Sequence, residues 1–183
     1  MSSQSIVLLI MGVSGSGKSL VGGMLAKRLG FSFIDADQYH TPNNKAKMSR
    51  GIPLTDEDRN PWLHILAELI NEWVETNENG IIACSALKDD YRKIILAKAK
   101  QSYVLYLKGN YELISDRIAK RQHEFMNPDL LRNQFNTLEE PQNAICLEAG
   151  LAPELIIEYI CLKIKEAEES QGRVFSCFKK SIS

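Results

Sequence analysis

Apolar residues in this chain occur in two patterns. Ile6-Val7-Leu8-Leu9-Ile10-Met11 is unbroken, and Val104-Leu105-Tyr106-Leu107 is a second such run. Strands buried on both faces read this way, which is the mark of a parallel sheet. Segments 5–11, 31–35, 80–84, 102–108 and 143–148 are predicted as strands. Between them, longer amphipathic stretches predict helices near 17–29, 59–77, 87–100, 110–120 and 152–168. Strands separated by helices need crossover connections, so the alternation predicts an α/β layer architecture. Asn110 is placed to cap the helix that follows it, and Pro153 suits the first turn of the last helix.

Two segments break the alternation. Residues 38–58 are rich in Asn, Pro, Gly and Asp and are expected to sit above the sheet. Residues 121–142 carry Arg, His and two prolines between a helix and the last strand. Loops of this length inside a compact domain are usually functional or mobile. Residues 170–183 follow a charged helix without clear periodicity and are expected to form a loosely attached tail.

The first strand and the first helix are joined by Gly12-Val13-Ser14-Gly15-Ser16-Gly17-Lys18-Ser19, a match to G-x-x-x-x-G-K-[ST]. The strand–loop–helix context is what makes that pattern more than a string match. Its glycines let backbone N–H groups turn toward anionic oxygens, and the helix N-terminus adds the positive end of its dipole. Lys18 is expected at the β- and γ-phosphates, Ser19 on Mg²⁺, and the nucleotide contacts run from Gly12 through Leu20. The chain is therefore expected to bind ATP with Mg²⁺.

Composition narrows the partners. With 183 residues the chain suits one domain, placed at 1–169 ahead of the tail. A net charge of −1 gives no basic footprint for general nucleic-acid binding. Cys84, Cys146, Cys161 and Cys177 are scattered, with no C-x-x-C pair to suggest a zinc site. No basic leader precedes a long apolar segment and no run is long enough to span a bilayer, so a cytoplasmic, membrane-free protein is expected.

Phe31-Ser32-Phe33-Ile34-Asp35-Ala36-Asp37 ends the second strand with two aspartates two residues apart. On an extended backbone both carboxylates face one side, at the strand ends where the glycine loop also lies. Phosphoryl transfer needs one carboxylate to organise a metal and another to take the acceptor's proton. Asp37, farther past the strand end, is the better base; Asp35 is expected to support Mg²⁺, and the roles could be shared.

At this point the chain resembles a known family. His40-Thr41-Pro42-Asn43-Asn44-Lys45-Ala46-Lys47-Met48, then Gly51-Ile52-Pro53-Leu54-Thr55-Asp56-Glu57-Asp58-Arg59-Asn60-Pro61-Trp62-Leu63, is similar to the signature of small P-loop gluconokinases. So are Ala83-Cys84-Ser85-Ala86-Leu87-Lys88 with Tyr91-Arg92, and Phe125-Met126, Leu130-Leu131, Gln134-Phe135, Thr137-Leu138-Glu139 and Pro141. The resemblance implies ATP-dependent phosphorylation of D-gluconate at its 6-hydroxyl. It also implies a shikimate-kinase-like, three-layer α/β/α P-loop fold with a central five-stranded parallel sheet, often assembled as a dimer. A helical substrate-side segment about 38–78 and a mobile lid about 121–142 belong to the same expectation.

A polyol carboxylate calls for a planar cation and several polar groups. Arg59, at the start of an amphipathic helix, suits a bidentate grip on the carboxylate, and the resemblance places it near the substrate. Ser85 and Lys88 follow the third strand, with Arg92 four residues on, and all are expected to face the same crevice. His40 is expected to bind substrate or hold its loop, and Trp62 to serve packing rather than stack on a sugar. Arg117 and Arg121, four apart at a helix end, match the lid position and are expected to close on the phosphates.

The chain departs from the family where Gly-His-Phe usually follows the lid arginine. Here the stretch reads Gln122-His123-Glu124-Phe125, which removes a hinge glycine and adds an anion. Other readings share parts of the pattern: a kinase of another small hydroxy acid such as shikimate, and a nucleotide-binding module without transfer activity. The 40–63 and 83–92 segments argue against the first, and Lys18, Ser19, Asp35, Asp37 and the lid arginines against the second. A guanine-reading N-K-x-D segment is absent, which excludes a switch GTPase.

Overall fold

Strand β1 (Ile6–Met11) is the centre of a five-stranded parallel sheet ordered β2-β3-β1-β4-β5, seen in a computed structural model that describes residues 5–120 and 128–172. The other strands are β2 (Ser32–Asp35), β3 (Gly80–Ala83), β4 (Gln101–Lys108) and β5 (Ile145–Glu148). β1 pairs with β3 from Val7↔Gly80 to Ile10↔Ala83, and with β4 from Ile6↔Gln101 to Met11↔Tyr106. After β1 the chain moves to the far edge on one side, returns through β3, and crosses to the other side for β4 and β5. The direction therefore reverses around β1, and the crevice at the strand carboxyl ends opens there.

Period-two alternation divides β1 between two cores. Leu8 and Ile10 pack with Leu25 of α1 (Lys18–Leu29) and with Ile156, Ile160 and Ile164 of α7 (Pro153–Ser170). Val7, Leu9 and Met11 pack on the opposite face with Trp62, Leu66 and Ile70 of α3 (Asp56–Glu75) and with Tyr91 and Ile95 of α4 (Asp89–Ile95). Helices thus cover both faces, giving the three-layer α/β/α arrangement. A third cluster lies beneath the glycine loop: Val13, Leu87, Ile114 of α5 (Tyr111–Lys120) and Leu131 of α6 (Pro128–Thr137).

The five strands and the five predicted helices are present, with boundaries shifted. α3 begins at Asp56 rather than 59 because Thr55 and Asp58 form a reciprocal capping box, each side chain accepting the other's backbone N–H. α4 is shorter than the predicted 87–100, since Ala86 at φ 43 reverses the chain and Lys88 remains extended. Asn110 does cap its helix, accepting the Leu113 N–H at 2.9 Å.

Both irregular segments contain helices that the pattern did not predict. Residues Ala36–Tyr39 make a 3-10 turn and Pro42–Ser49 form α2. α2 has almost no apolar face; it is held by Thr41, whose hydroxyl accepts the Asn44 N–H, and by buried Asn44 donating to the Asp58 carbonyl at 2.8 Å. In the expected lid, residues 128–137 form α6, docked by Leu131, Phe135 and Leu138. Residues 121–127 lie outside the described residues, as does the tail from 173 onward. Among the described residues no helix is long and apolar enough to cross a membrane.

The sheet leaves little room where α3 returns to β3. A Cβ on Gly80 would stand 2.1 Å from the Trp73 ring, which is itself buried. Gly80→Ala is expected to lower unfolding free energy by about 1–3 kcal/mol through overpacking, measured by urea denaturation; an unchanged midpoint would mean Trp73 has room to move.

Candidate active site

The glycine loop springs from the end of β1. Gly12 leaves the strand at φ 145, a conformation an L side chain resists, and an added Cβ would meet the Leu107 carbonyl oxygen at 2.7 Å. Its N–H donates to the Ser85 carbonyl at 3.4 Å, tying the loop to the turn after β3. Gly15 and Gly17 also have positive φ, and α1 begins at Lys18. The Lys18 ammonium donates to the Val13 carbonyl at 3.0 Å across the loop mouth. Ser16 is buried and its Oγ has no hydrogen-bond partner among the described residues. An unsatisfied buried hydroxyl in a glycine cradle fits a site that takes anionic oxygens. Ser19 and Leu20 are exposed on the first turn of α1.

A cavity of about 410 Å³ opens beside the loop. Ser14 and Lys18 line it from the loop, Asp37 and His40 from the segment after β2, Arg59 from α3 and Ser85 from the turn after β3. Lys45, Met48 and Ser49 of α2, Ile52 to Leu54, and Leu130, Asn133 and Gln134 of α6 complete its wall. Chemically it sets ammonium and guanidinium groups, one exposed carboxylate, and hydroxyl and amide groups among apolar side chains of Met48, Ile52, Pro53, Leu54 and Leu130.

His40 is the buried member of this wall. Its ring stacks on Trp62 with centroids 4.1 Å apart, and its Nε2 stands 3.9 Å from Asp37 Oδ1. Trp62 is fully buried and donates from Nε1 to the Ala36 carbonyl at 2.9 Å, so it is a packing residue. Burial, and then the positive charges of Arg59 and Lys45, push the His40 pKa down to about 4. The imidazole is therefore neutral near pH 7 and sits beside Asp37 as a dipole rather than a cation. Cys84, on the last step out of β3, is held as a thiol by burial, which pushes its pKa up to about 12.

The structure gathers some of the expected residues and separates others. Lys18, Asp37, His40, Arg59 and Ser85 share the cavity. Asp35 does not line it. The extended backbone assumed for the D-x-D pair ends at Asp35, whose Oδ1 accepts the Asp37 N–H at 3.1 Å and caps the 3-10 turn. Lys88 is not in the crevice; its ammonium pairs with Asp56 at 2.7 Å, and the Tyr91 hydroxyl donates to the same carboxylate. Arg92 is buried and donates to the Ala86 carbonyl at 2.9 Å and the Leu87 carbonyl at 3.3 Å. It braces the turn that presents Ser85, because a buried guanidinium needs several acceptors, and two carbonyls of the reversal with the Asp89 carboxylate at 3.3 Å supply them. Arg117 lies against the loop from outside the cavity, donating to the carbonyls of Ala149 at 2.6 Å and Ser16 at 3.4 Å. Arg121 lies outside the described residues.

Sequence reasoning assigned no role to Lys45, Asn133 or Gln134, although Lys45 and Gln134 fall in the segments that carry the resemblance. Thr41 before Pro42 is an N-cap and first-turn signature that could have revealed α2 and with it Lys45. The 131, 135, 138 spacing of apolar residues could have revealed α6. Among the described residues, no group of three or more His, Cys, Asp or Glu side chains could hold a metal unaided.

Because His40 gains protons in the unfolded chain below its ordinary pKa of 6.5 but in the folded chain only near 4, its contribution to stability is complete above pH 6.5 and is lost as pH falls toward 4. His40→Asn is expected to flatten the stability curve across that window in urea melts at several pH values; equal slopes for both proteins would show that the imidazole is not held neutral.

The chain matches the family model described as shikimate kinase over residues 14–164. It is 43% identical to the probable gluconokinase of Mus musculus over 152 residues, which cover 74% of this chain and 83% of that one. It is 46% identical to the thermosensitive gluconokinase of Escherichia coli strain K12 over 142 residues, 78% of this chain and 75% of the other. The crystal structure of a gluconokinase from Sinorhizobium meliloti 1021 superposes with a TM-score of 0.80 at 36% identity, covering 92% of this chain and 95% of that one. A glycine loop at the end of the central strand, a cavity beside it and relatives of this closeness along most of their length agree: the chain belongs to the gluconokinases, phosphotransferases of the shikimate-kinase family.

Proposed function

We propose that this chain transfers the γ-phosphoryl group of ATP to the 6-hydroxyl of D-gluconate, forming 6-phospho-D-gluconate and ADP. The observation that carries this reading is a single cavity shared by Lys18 from the phosphate loop and by Asp37 and Arg59 from the acceptor side. Phosphoryl transfer is mostly a matter of positioning and of stabilising charge, and the two halves supply both.

On the donor side, loop N–H groups and the Lys18 ammonium hold the phosphate oxygens. Lys18 exchanges its bond to the Val13 carbonyl for a charged acceptor, a stronger partner. Arg117, against the Ser16 carbonyl, adds positive charge behind the loop. Ser19 Oγ and the Asp35 carboxylate are hard oxygen donors of the kind Mg²⁺ accepts beside phosphate oxygens. When bound, Mg²⁺ would neutralise charge on those phosphates.

On the acceptor side, the Arg59 guanidinium takes the sugar acid's carboxylate, and Ser85 takes a hydroxyl. Asp37 receives the proton of the 6-hydroxyl as the bond from that oxygen to phosphorus forms and the bond to the ADP oxygen breaks. His40, 3.9 Å away, meets Asp37 as a neutral dipole rather than a cation. The walls of the cavity limit water, the competing acceptor. The reading carries a cytoplasmic location, because ATP is the donor it needs.

A panel assay tests the assignment: ATP and Mg²⁺ with gluconate, shikimate, glucose and nucleoside monophosphates, following ADP release. Turnover on gluconate above the others is expected, and turnover on shikimate alone would overturn it. Asp37→Asn is expected to lower kcat by roughly 10²–10⁴-fold, the usual range for a lost general base, while ATP still binds. Arg59→Ala is expected to raise the gluconate KM by roughly 10–100-fold, the range for losing hydrogen bonds to a charged group, with little change for ATP. Steady-state kinetics separate the two, and an ATP-specific defect would move Arg59 to the nucleotide pocket.

A further inference from the structure

The carboxamide of Gln134 ties α6 to the phosphate loop in a way that fixes its own orientation. Gln134 Oε1 accepts the Ser14 backbone N–H at 2.7 Å. A backbone N–H can only donate, so the amide oxygen must face the loop and the NH₂ group must face away from it. Its carboxamide makes no other hydrogen bond among the described residues. The side chain lines the cavity with Ser14, Lys18, Asp37 and Arg59. Two N–H donors are thus held at the border between the loop and the acceptor wall.

The backbone beneath that carboxamide is anchored. Phe135 and Leu138 pack with Leu131 against Val13 and Leu87. Just beyond α6, the Glu139 N–H donates to the Leu87 carbonyl at 2.8 Å, and the Glu139 carboxylate accepts the Asp89 N–H at 2.7 Å. Leu130, Asn133 and Gln134, spaced i, i+3 and i+4, form the one face of α6 that reaches the cavity.

We propose that Gln134 is an acceptor-binding residue, its Nε2 donating to a hydroxyl oxygen of the sugar acid next to the transfer point while its Oε1 holds the Ser14 N–H. The inference rests on the proposed function. Charge decides for a hydroxyl over a phosphoryl oxygen: the anionic groups already have Lys18, Lys45 and Arg59, whereas a neutral carboxamide matches a neutral polyol. One side chain then fixes the acceptor's distance from the phosphate loop, its Nε2 acting on acceptor binding and its Oε1 on the loop.

Two variants separate the carboxamide's halves. Gln134→Met removes donor and acceptor at similar volume; Gln134→Glu keeps an acceptor for the Ser14 N–H and removes both donors. Each is measured for melting temperature, for ATP affinity by titration without acceptor, and for kinetics with gluconate and a series of monodeoxy sugar acids. Both are expected to raise the gluconate KM by roughly tenfold, the size of one neutral hydrogen bond at the upper end of its range. ATP affinity of Gln134→Met is expected to change by a smaller factor than the gluconate KM, since the lost Nε2 bond touches no phosphate and the Ser14 N–H alone loses its partner. In the wild-type protein one deoxy acid should lose a similar factor, and in Gln134→Met that acid and gluconate should become equivalent.

Penalties that multiply for every deoxy acid would overturn the proposal. So would weaker ATP binding with an unchanged gluconate KM, which would put Nε2 on the phosphoryl group. Wild-type kinetics in Gln134→Glu would reduce the residue to a strut for Ser14. If Gln134→Met does not fold, Gln134→Glu, which keeps the loop contact, carries the test. Absence of gluconate turnover in the wild-type protein would sink the proposed function instead; the same series built on the acid that is phosphorylated would then judge Gln134 separately.

Discussion

β1 is paired on both edges and buried on both faces, and the active site inherits its rigidity from that confinement. A strand so placed cannot slide by one residue without exchanging Leu8 and Ile10 for Val7, Leu9 and Met11 between two differently shaped cores. The loop after it is therefore fixed in height and rotation. Gly12 transmits this directly, since its N–H reaches the Ser85 carbonyl and its missing side chain lets the Leu107 carbonyl approach. The turn after β3 and strand β4 thus each place one backbone oxygen against the same glycine. Phosphoryl transfer needs reacting atoms held within a fraction of an ångström, and the sheet meets that need before any ligand arrives.

Around this fixed loop, charge is distributed unevenly. Positive groups enter from several elements: Lys18 from α1, Lys45 from α2 and Arg59 from α3. Other cations that sequence proximity suggested for the site are spent on structure instead. Lys88 neutralises Asp56, and Arg92 satisfies carbonyls in a reversal that Ala86 makes at positive φ. Burial explains the difference for Arg92, because a guanidinium removed from water must find acceptors at once. His40 solves the same problem by giving up its proton. Its stack on Trp62 gives it a position in the wall without adding to the field there.

The sheet was legible because strands buried on both faces leave unbroken apolar runs, and the phosphate loop because its chemistry needs glycines at set intervals. That Asp37 and Arg59 would stand in one crevice with the loop was legible through their order after it and through resemblance. Asp35 misled the geometric argument: the extended backbone that would align it with Asp37 stops where its own carboxylate caps the turn. α2 was hidden because it is held by Thr41, Asn44 and a Lys47–Asp58 ion pair at 2.6 Å, none of which leaves an apolar period. α6 has such a period but only over ten residues, enclosed by a proline-bearing stretch that reads as loop. Pairings across the fold, such as Gln134 to Ser14, have no trace in either local sequence, since nothing near position 14 specifies a partner 120 positions away.

The acceptor-side wall from Asp37 through His40, Lys45 and the 48–54 turn to Arg59 is one continuous piece of chain. It leaves the sheet at β2, an edge strand, and rejoins the layered core in α3. Its own structure depends largely on contacts within itself, such as Asn44 to Asp58 and Lys47 to Asp58. On the proposed function, most of acceptor recognition is carried by that stretch and nucleotide recognition by the loop after β1, with Ser85 and Gln134 joining the two. A lineage can rebuild the first by drift, insertion or exchange of a single segment while β1 and its loop stay untouched. That separation gives a physical route by which one scaffold diversifies its choice of metabolite without re-inventing its chemistry.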